Sequence, residues 1–504
     1  MAKRILYQML PRLWGNGRFS GVDAAFLSYL RDTLRVDTVW YTGVIRHATR
    51  RADSGCTPSK VVKGDAGSPY AITDYYDVNP YLADDPLRRM DEFEDLVART
   101  HAAGLKVIID FVPNHVAREY NGALTPAPER PLGADDDPTE HWKASNDFYY
   151  YPGEPLHLPV PADGYSECPA RASGNSFTPF PDVNDWYETV RINYCDFHTP
   201  TWDKMAAIVR YWARKGVDGF RCDMVEMVPP AFMQWLIATL KQEFPHLLFI
   251  AEVYEEEKYR QYVDEVGFDL LYDKSGLYDD LRAITCQGLS ARLVTWNWQM
   301  LGNLQPHMLN FLENHDEQRI ASDFFAGSPE KGYAALAVSL LLNDAPFMLY
   351  FGEEIGERGM DDEPFSGVNG RTTIFDWWQV ASLGRLEKWI ASGHRGGLNK
   401  SERSVLARYR EWLALSRRPA FAAGKTFDLC YCQWGEGFNP ETDYAFLRSD
   451  GREVWLVAAH FDAQPAQLTI RIPEEAERWL GVSLPRECCV EAAPFDAAIV
   501  QILP

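Results

Sequence analysis

The stretch FEDLVARTHAAGLKVIIDFVPNH at residues 93–115 combines an amphipathic helix, a glycine and a buried strand. Apolar residues recur at helical spacing through 93–104, and Gly104 stands where glycine commonly ends a helix. The apolar run at 107–109 that follows is typical of a strand covered on both faces, and it ends in the polar residues Asp110 and His115. A helix followed directly by such a strand predicts one unit of an α/β fold.

The same alternation recurs along the chain, with a second amphipathic helix in WDKMAAIVRYWARKG at 202–216. Alternating strands and helices favour parallel strands joined by crossover helices. Eight parallel strands close a barrel. We therefore predict a (β/α)8 TIM barrel of class α/β. Its candidate strands are ILYQML at 5–10, VDTVWYTG at 36–43, LKVIIDFVPNH at 105–115, VDGFRCDMV at 217–225, LLFIAEVY at 247–254, FDLLYD at 268–273, MLNFLENHD at 308–316 and FMLYFGEE at 347–354.

Spacing along the chain predicts two additions to the barrel. Asp110 and Asp223 are 113 residues apart, whereas Asp223 and Glu252 are 29 apart, which is enough for one strand-helix-strand step. We therefore predict a domain inserted after the third strand. The helix YREWLALSRRPAF at 409–421 ends the barrel, and the strand-like runs YAFLRS, VWLVAAHF, LTIRIP and AAIVQILP follow it. The expected domains are a catalytic barrel at 1–116 and 186–422, an inserted domain at 117–185 and an antiparallel β domain at 423–504.

Composition and charge exclude several classes of partner. Fifty Lys and Arg against 72 Asp and Glu give a net charge of −22, which disfavours binding to nucleic acid or to a membrane surface. The N-terminal MAKRILYQMLPRLWGNG has too short an apolar run for a signal peptide or a membrane span, so we expect a cytoplasmic protein. Nine Cys without CxxC spacing favour reduced thiols, and Cys222 is expected to be a small core residue.

Polar residues end four of the predicted strands. Because barrel active sites lie at the carboxyl ends of the strands, we expect these side chains to meet in one pocket. Two of them, Arg221 and Asp223, stand two apart and so point the same way. The alternative is an ion-pair network buried beneath the loops. The strand-end residues are Asp110 and His115 on the third strand, Arg221 and Asp223 on the fourth, Glu252 on the fifth, and His315 and Asp316 on the seventh.

Four segments resemble, in order and spacing, the four signature regions of the α-amylase family, which are retaining glycoside hydrolases. They are DFVPNH at 110–115, GFRCDMVE at 219–226, AEVY at 251–254 and FLENHD at 311–316. The resemblance extends over the chain to YQMLPR at 7–12, GSPYAITDYYDVNP at 67–80, FPDVN at 180–184 and GEEIGE at 352–357. It implies a (β/α)8 barrel with a domain inserted after the third strand and a C-terminal β domain, as the spacing indicated.

The resemblance also implies roles for the three acids. Asp223 would be the nucleophile, Glu252 the general acid and then base, and Asp316 the carboxylate that holds the sugar hydroxyls. In a retaining mechanism one carboxylate attacks C1 while the other gives its proton to the leaving oxygen. Arg221 is expected to keep Asp223 ionised, and Asp110 to orient Arg221.

The implied substrate-binding residues are Tyr70, His115, Arg221, His315 and Arg371. Tyr70 resembles the aromatic platform under the glucose at the cleavage point, and the two histidines would donate to sugar hydroxyls. Exposed rings also stack on sugars, although most aromatic residues fill cores. The candidate clusters on predicted loops or in the insertion are Trp377 with Trp378, Trp296 with Trp298, and Tyr149 to Tyr151.

Some residues depart from the family pattern. After Asp223 the chain reads MVEM, so Glu226 and Met227 replace a Lys-His pair that contacts leaving-side sugars and whose backbone helps to bind calcium. Asn114 and Asp182 match two usual calcium ligands, yet we favour plain loop hydrogen bonding for both. We therefore expect no required cofactor, with a structural calcium ion as the less favoured alternative. We assign no sugar-binding role to Asp65, which lies five residues before Tyr70.

The sequence thus predicts a cytoplasmic hydrolase acting on α-glucosidic bonds of malto-oligosaccharides or related α-glucans. Its partner would be a small carbohydrate or α-glucan substrate, with no nucleic acid and no membrane; the oligomeric state stays open. A transglycosylase on the same scaffold, using a maltose-type or sucrose-type donor, is the main alternative. A non-catalytic glycan-binding or transporter-associated member is a further alternative, against which the intact set of three acids argues.

Overall fold

Eight parallel strands close into a barrel in a computed structural model, which describes residues 3–52, 55–434 and 437–503. Each strand pairs with its neighbours in chain order, and β1 pairs with β8 to complete the ring. All eight lie within the predicted segments, which confirms the fold class. The strands are β1 (Ile5–Met9), β2 (Thr38–Tyr41), β3 (Lys106–Phe111), β4 (Gly219–Cys222), β5 (Leu248–Ala251), β6 (Leu270–Tyr272), β7 (Met308–Phe311) and β8 (Phe347–Tyr350).

Two of the strands end directly before an acidic residue. Strand β4 ends at Cys222, which is fully buried, and Asp223 follows it. Strand β5 ends at Ala251 and Glu252 follows it. Most residues of the strands are apolar, as expected for parallel strands covered on both faces, and the acidic residues stand at or near the carboxyl ends.

Helices surround the barrel. The predicted helices at 93–104 and 202–216 are confirmed as α2 and α3, and Gly104 follows α2 with a left-handed φ of 83°. The helices are α1 (Ala24–Ser28), α2 (Arg89–Ala102), α3 (Pro200–Arg214), α4 (Pro230–Glu243), α5 (Asp279–Gln287), α6 (Arg292–Leu301), α7 (Tyr333–Leu341), α8 (Ala381–Ala391), α9 (Lys400–Leu415), α10 (Pro419–Ala422) and α11 (Glu474–Leu480), with a short turn at Tyr259–Gln261.

The predicted helix at 409–421 has different bounds. Helix α9 begins nine residues earlier, where Asn399 and Glu402 form a reciprocal capping box. It ends at Leu415, and a separate turn starts at Pro419 because proline lacks the N–H that would continue the helical bonding and disfavours helical geometry in the residue before it.

The segment between β3 and α3 has little regular structure. Its two ends pair with each other, His115–Ala117 against Thr189–Arg191, and Tyr150–Tyr151 pairs with Ala170–Arg171 within it. In the β2–α2 connection, Ile45–His47 pairs with Ile72–Val78. These antiparallel pairs fold the long loops over the carboxyl end of the barrel.

The C-terminal region forms antiparallel sheets, as predicted. Strands β9, β10, β11 and β14 make one sheet in that order, and β12 pairs with β13. Two of the strands, β9 and β13, were not predicted. No helix in the described ranges is both long and apolar enough to cross a membrane. The strands are β9 (Lys425–Asp428), β10 (Asp443–Ser449), β11 (Val454–His460), β12 (Ala466–Arg471), β13 (Glu487–Ala492) and β14 (Ala497–Leu503).

Candidate active site

A pocket of about 350 Å³ opens at the carboxyl end of the barrel. Five residues singled out in the sequence line it: Tyr70, His115, Asp223, Glu252 and Asp316. The strand-end carboxylates therefore meet in one concave site, as expected from barrel geometry. The other lining residues are Lys63, Ser68, Trp186, Glu188, Thr189, Met224, Tyr254, Ile374 and Phe375.

The buried guanidinium of Arg221 links two of the three acids. Its Nη1 lies 2.7 Å from Asp223 Oδ1, and its Nη2 lies 2.8 Å from Glu252 Oε1. Asp110 Oδ1 is 3.8 Å from Nη1. One small planar group thus contacts both carboxyl groups, and a retaining mechanism uses a closely spaced pair of carboxyl groups.

Aromatic rings enclose the same guanidinium. Its central carbon lies 5.6 Å from the ring centroid of Trp40, 5.3 Å from that of Tyr70 and 5.6 Å from that of Tyr272. Trp40 Nε1 also donates a hydrogen bond of 3.2 Å to Asp110 Oδ2. Ring faces attract a cation, so this cage keeps the Arg221 side chain in a single position.

The electrostatics of Asp223 differ from the sequence expectation. Burial raises the pKa of Asp223 well above its usual value, Arg221 opposes the shift, and the carboxylates of Glu252 and Asp316 add to it. Burial likewise raises the pKa of Asp110 to about 6 against the opposing charge of Arg221. One cation among four acids thus offsets only part of the cost of burying them.

Glu252 accepts hydrogen bonds on both oxygens. The backbone N–H of Met224 donates to Oε2 at 2.8 Å, and the hydroxyl of Tyr254 donates to Oε1 at 2.7 Å. Tyr254 was not among the predicted site residues. The signal in the sequence was its spacing, because a residue two positions after Glu252 in extended chain faces the same side.

His315 lies between the barrel interior and the pocket. Gln8 Nε2 donates to its Nδ1 at 2.7 Å, which leaves the ring proton on Nε2, facing the hydroxyl of Tyr70 and, at 3.0 Å, Asp316 Oδ2. Burial, together with Arg221, holds the pKa of His315 well below its usual value. The ring is therefore a neutral hydrogen-bond donor at the pocket.

His115 and Arg371 stand on two sides of the site. Burial lowers the pKa of His115 to about 3, and its ring packs 5.1 Å from that of Trp186. Arg371 Nε donates to the backbone carbonyl of Asp316 at 2.5 Å. Arg371 thus holds the loop that carries Asp316, a role that its position in the sequence did not reveal.

The predicted aromatic clusters lie outside this pocket. Trp296, which is 67% exposed, and Trp298 belong to helix α6 rather than to a loop, because an uninterrupted apolar period runs through 292–301. Tyr149 packs against Phe177 at 5.1 Å. Trp377 and Trp378 line a neighbouring cavity. Trp186, in contrast, lines the pocket that holds the three carboxylates.

The two residues that match calcium ligands make hydrogen bonds within the loops. Asn114 Nδ2 donates to the carbonyl of Gly174 at 2.9 Å, and Asp182 Oδ1 accepts the N–H of Asn184 at 2.6 Å. Arg191 donates to the carbonyls of Gly174 at 3.1 Å and Met227 at 2.9 Å.

Calcium takes about six to eight oxygen ligands, and here the cationic side chain of Arg191 occupies the carbonyls of Gly174 and Met227. These residues do not fit a calcium ion. The described part of the chain also lacks any group of three or more His, Cys, Asp or Glu arranged to hold a metal ion.

Glu226 connects the loops that follow β4 and β5. Its Oε2 accepts the N–H of Tyr254 at 2.8 Å, its Oε1 accepts the N–H of Glu255 at 3.2 Å, and Lys258 Nζ lies 3.7 Å away. Both oxygens are therefore committed to the segment that carries Glu252.

Comparisons with known proteins identify the family. The family model described as "Alpha amylase, catalytic domain" matches residues 14–376. Alpha-amylase 3 of Dictyoglomus thermophilum is 25% identical over 306 residues, covering 59% of this chain and 55% of that protein. The alpha-1,4-glucan:maltose-1-phosphate maltosyltransferase of Cereibacter sphaeroides is 24% identical over 300 residues, covering 56% of this chain and 42% of that protein. The chain thus spans about half the length of these curated relatives.

A solved structure shares the fold over the whole chain. The ligand-free cyclic alpha-maltosyl-(1→6)-maltose hydrolase of Arthrobacter globiformis superposes with a TM-score of 0.66 and 17% identity, covering 100% of this chain and 98% of that one. The family match extends over more than half of the chain and includes the strands that carry Asp223, Glu252 and Asp316. This chain belongs to the α-amylase family.

Proposed function

We propose that this protein is a retaining glycoside hydrolase that cleaves α-glucosidic bonds in malto-oligosaccharides or related α-glucans. One observation carries the proposal: a single guanidinium, Arg221, contacts both Asp223 and Glu252 in a pocket that Asp316 completes. A pair of closely spaced carboxyl groups is what a retaining glycosidase uses.

The reaction would proceed in two displacements. Asp223 in its ionised form, which the contact with Arg221 favours, attacks the anomeric carbon while the bond from that carbon to the glycosidic oxygen breaks, and Glu252 in its acid form gives its proton to the departing oxygen. Glu252, now ionised, then takes a proton from water. The resulting oxygen nucleophile attacks the same carbon and releases Asp223.

Other residues would position the sugar. His315 Nε2 and Asp316 stand next to each other, as a donor and an acceptor for adjacent sugar hydroxyls. Tyr70, whose ring stacks on that of His315 at 5.3 Å, would supply the surface under the sugar, and His115 a further donor. Arg371 would keep Asp316 in place through its backbone.

The shape of the pocket favours short substrates or chain ends. Ala66 N–H donates to the carbonyl of Phe375 at 2.9 Å, which joins the loop before Tyr70 to the loop after β8. Ile374 and Phe375 form part of the pocket lining at this junction. A chain bound with one end at this closed side would lose a terminal sugar unit.

Transglycosylation on the same scaffold is the second candidate. The similarity to a maltosyltransferase favours it, and it differs only in whether water or a sugar intercepts the covalent intermediate. In either case we propose a cytoplasmic enzyme that needs no cofactor and no nucleic-acid partner, in keeping with the net charge of −22.

Product analysis separates the candidates. Maltoheptaose, maltose and sucrose would each be incubated with the protein, and the products separated by chromatography over time. Shortened saccharides alone support hydrolysis, with maltohexaose and glucose first if the closed side binds a chain end. Products longer than the substrate identify a transglycosylase. No product from any of the three, with measurable binding of maltoheptaose, would identify a non-catalytic member.

A further inference from the structure

Three groups in the described part of the chain form a hydrogen bond or an ion pair with the Glu252 carboxyl, and two of them have no acceptor atom. The backbone N–H of Met224 donates to Oε2 at 2.8 Å, and Arg221 Nη2 lies 2.8 Å from Oε1. An amide N–H and a guanidinium can only donate hydrogen bonds. Both groups therefore favour the ionised form of Glu252, and neither can accept a hydrogen bond from its acid form.

The third group is the hydroxyl of Tyr254. It lies 2.7 Å from Glu252 Oε1, and a hydroxyl carries both a donor hydrogen and acceptor lone pairs. Burial, together with the charges of Glu252 and Asp316, raises the pKa of Tyr254 well above its usual value, so the hydroxyl keeps its proton. It can therefore donate to an ionised Glu252 and accept a hydrogen bond from a protonated one.

The Tyr254 side chain is fixed beside Glu252. The backbone N–H of Tyr254 donates to Glu226 Oε2 at 2.8 Å, and the residue is half-buried. Tyr254 and Glu252 both line the catalytic pocket. The hydroxyl can thus change from donor to acceptor by rotation of its O–H bond alone, without a movement of the loop.

The two displacements proposed above need both forms of Glu252. The acid form is required while the glycosidic bond breaks, and the ionised form is required when water is activated. A hydrogen-bonding partner that fits only one form would disfavour one of the two steps.

We propose that Tyr254 is a positioning residue that stabilises the two forms of Glu252 in turn. Its hydroxyl accepts a hydrogen bond from the acid form until the glycosidic oxygen takes its place, and it donates to the ionised form that follows. The inference rests on the proposed function. Tyr254 keeps its own proton throughout, and the catalytic proton passes from Glu252 to the leaving oxygen.

The pH profile of kcat/KM with maltoheptaose tests this role in Tyr254→Phe. The fall of kcat/KM on the alkaline side reports loss of the acid form of Glu252 in the free enzyme. Hydrogen bonds to a charged group are stronger than those to a neutral one, so removal of the hydroxyl disfavours the ionised form more than the acid form. We expect the alkaline limb to move to higher pH by about 1 pH unit.

The variant leaves the other titratable and charged groups around Glu252 in place, so they act alike in both proteins. They are Asp110 on β3, Arg221 on β4, Asp223 after β4, Tyr272 on β6 and Asp316 after β7.

Activated aryl glucosides give a second measurement. Their leaving group needs no proton, so kcat/KM of Tyr254→Phe should stay within about 3-fold of the unaltered protein on these substrates. On maltoheptaose, kcat/KM at the optimum should fall by about 10-fold, because the proton donor is less well positioned.

Two further variants separate this role from a structural one. Tyr262→Phe is the matched control, since the Tyr262 hydroxyl donates to the carbonyl of Val225 at 3.1 Å instead of to Glu252, and its alkaline limb should stay in place. Replacement of Tyr254 by 3-fluorotyrosine keeps the ring and the hydroxyl. Because fluorine makes the hydroxyl a better donor and a poorer acceptor, the alkaline limb should then move to lower pH. The Tm of each variant reports whether it is folded.

Several outcomes would overturn the proposal. An alkaline limb that stays in place in folded Tyr254→Phe, that moves equally in Tyr262→Phe, or that does not move to lower pH with 3-fluorotyrosine removes the role of the hydroxyl. Equal losses on maltoheptaose and on aryl glucosides would reduce Tyr254 to a structural residue. In these cases the hydrolase assignment stands. Absence of turnover of both substrates by the unaltered protein would overturn the proposed function and this inference with it.

Discussion

Arg191 Nη2 donates a hydrogen bond of 2.9 Å to the backbone carbonyl of Met227. The donor belongs to the strand Thr189–Arg191, which ends the long segment between β3 and α3, and the acceptor to the loop after β4. Together with the bond to Gly174, this contact ties the insertion to the barrel through a side chain of the protein itself.

Because Arg191 occupies the carbonyls that a calcium ion would need, activity and Tm should not change with a chelator or with added calcium. Replacing the residue, as in Arg191→Ala, should lower the free energy of unfolding by about 1.5–3 kcal/mol, the range for hydrogen bonds that involve a charged group. Thermal unfolding with and without EDTA measures both effects. Arg130→Ala, an exposed ion-pair residue of the same segment, is the control and should cost little. Calcium-dependent activity would contradict this account.

Asp223→Asn tests the nucleophile. The amide cannot form the covalent intermediate, so turnover of maltoheptaose should fall by at least about 10⁴-fold while the oligosaccharide still binds. Initial rates and calorimetric binding measure the two quantities. Asp264→Asn, on the surface, serves as the control. Retained turnover in purified Asp223→Asn would refute the assignment.

Glu252→Gln tests the acid. Substrates whose leaving group needs no proton, such as activated aryl glucosides, should still form the glycosyl-enzyme, whereas maltose-type substrates should react about 10²–10⁴-fold more slowly. Burst kinetics on both substrates give the comparison, with the exposed neighbour Glu255→Gln as control. Equal losses on the two substrates would show that Glu252 is not the proton donor.

Glu226→Ala should lower stability and activity together. The substitution leaves the N–H groups of Tyr254 and Glu255 without their acceptor, and so loosens the segment that holds Glu252. We expect kcat to fall more than KM rises, because positioning rather than sugar contact is lost. A changed product pattern with unchanged kcat and Tm would instead place Glu226 on the leaving-side sugar.

Two buried aspartates should respond to pH in opposite directions. Burial raises the pKa of Asp110 to about 6. The contribution of Asp110 to the free energy of unfolding is therefore most favourable below about pH 3.9, the pKa of Asp in the unfolded chain, and it is lost as the pH rises through 6. Between pH 4 and pH 7, the Tm of Asp110→Asn should therefore rise relative to the Tm of the unaltered protein.

Asp218 is the opposite case. Burial alone would raise the pKa of Asp218, but hydrogen bonds from Lys106 and from the Val107 N–H outweigh burial and lower it. Its contribution is present above the unfolded pKa and is lost as pH falls through the folded one. The Tm of Asp218→Asn should thus fall below that of the unaltered protein at pH 7, by a difference that shrinks on acidification. The same trend in both variants would contradict the assignment of these shifts.

The sequence predicted the barrel because its strands are apolar runs that end in polar residues, a local pattern that is independent of distant partners. It predicted the meeting of Asp223, Glu252 and Asp316 because barrel geometry brings strand ends together. It missed the cage of Trp40 and Tyr272 around Arg221, since buried aromatic residues look alike in sequence whatever they contact.

The sequence also did not predict hydrogen bonds between residues that are far apart along the chain. The bond from Arg191 to Met227 depends on how an irregular insertion returns to the barrel, which no periodicity encodes. The earlier start of helix α9 could, by contrast, have been predicted, because Asn399 and Glu402 have the spacing of a capping box.

Strand β1 pairs with β8, so that Ile5 lies beside Phe347. During synthesis, the barrel can therefore close only after β8 has been made. At about 5–20 residues per second, the first strand waits roughly 20–70 s for its partner to be made. Until then the edge of β1 that faces away from β2 has no partner strand, and contacts so distant along the chain form slowly. Production of this protein should therefore respond to chaperone supply and to translation speed more than its final stability would indicate.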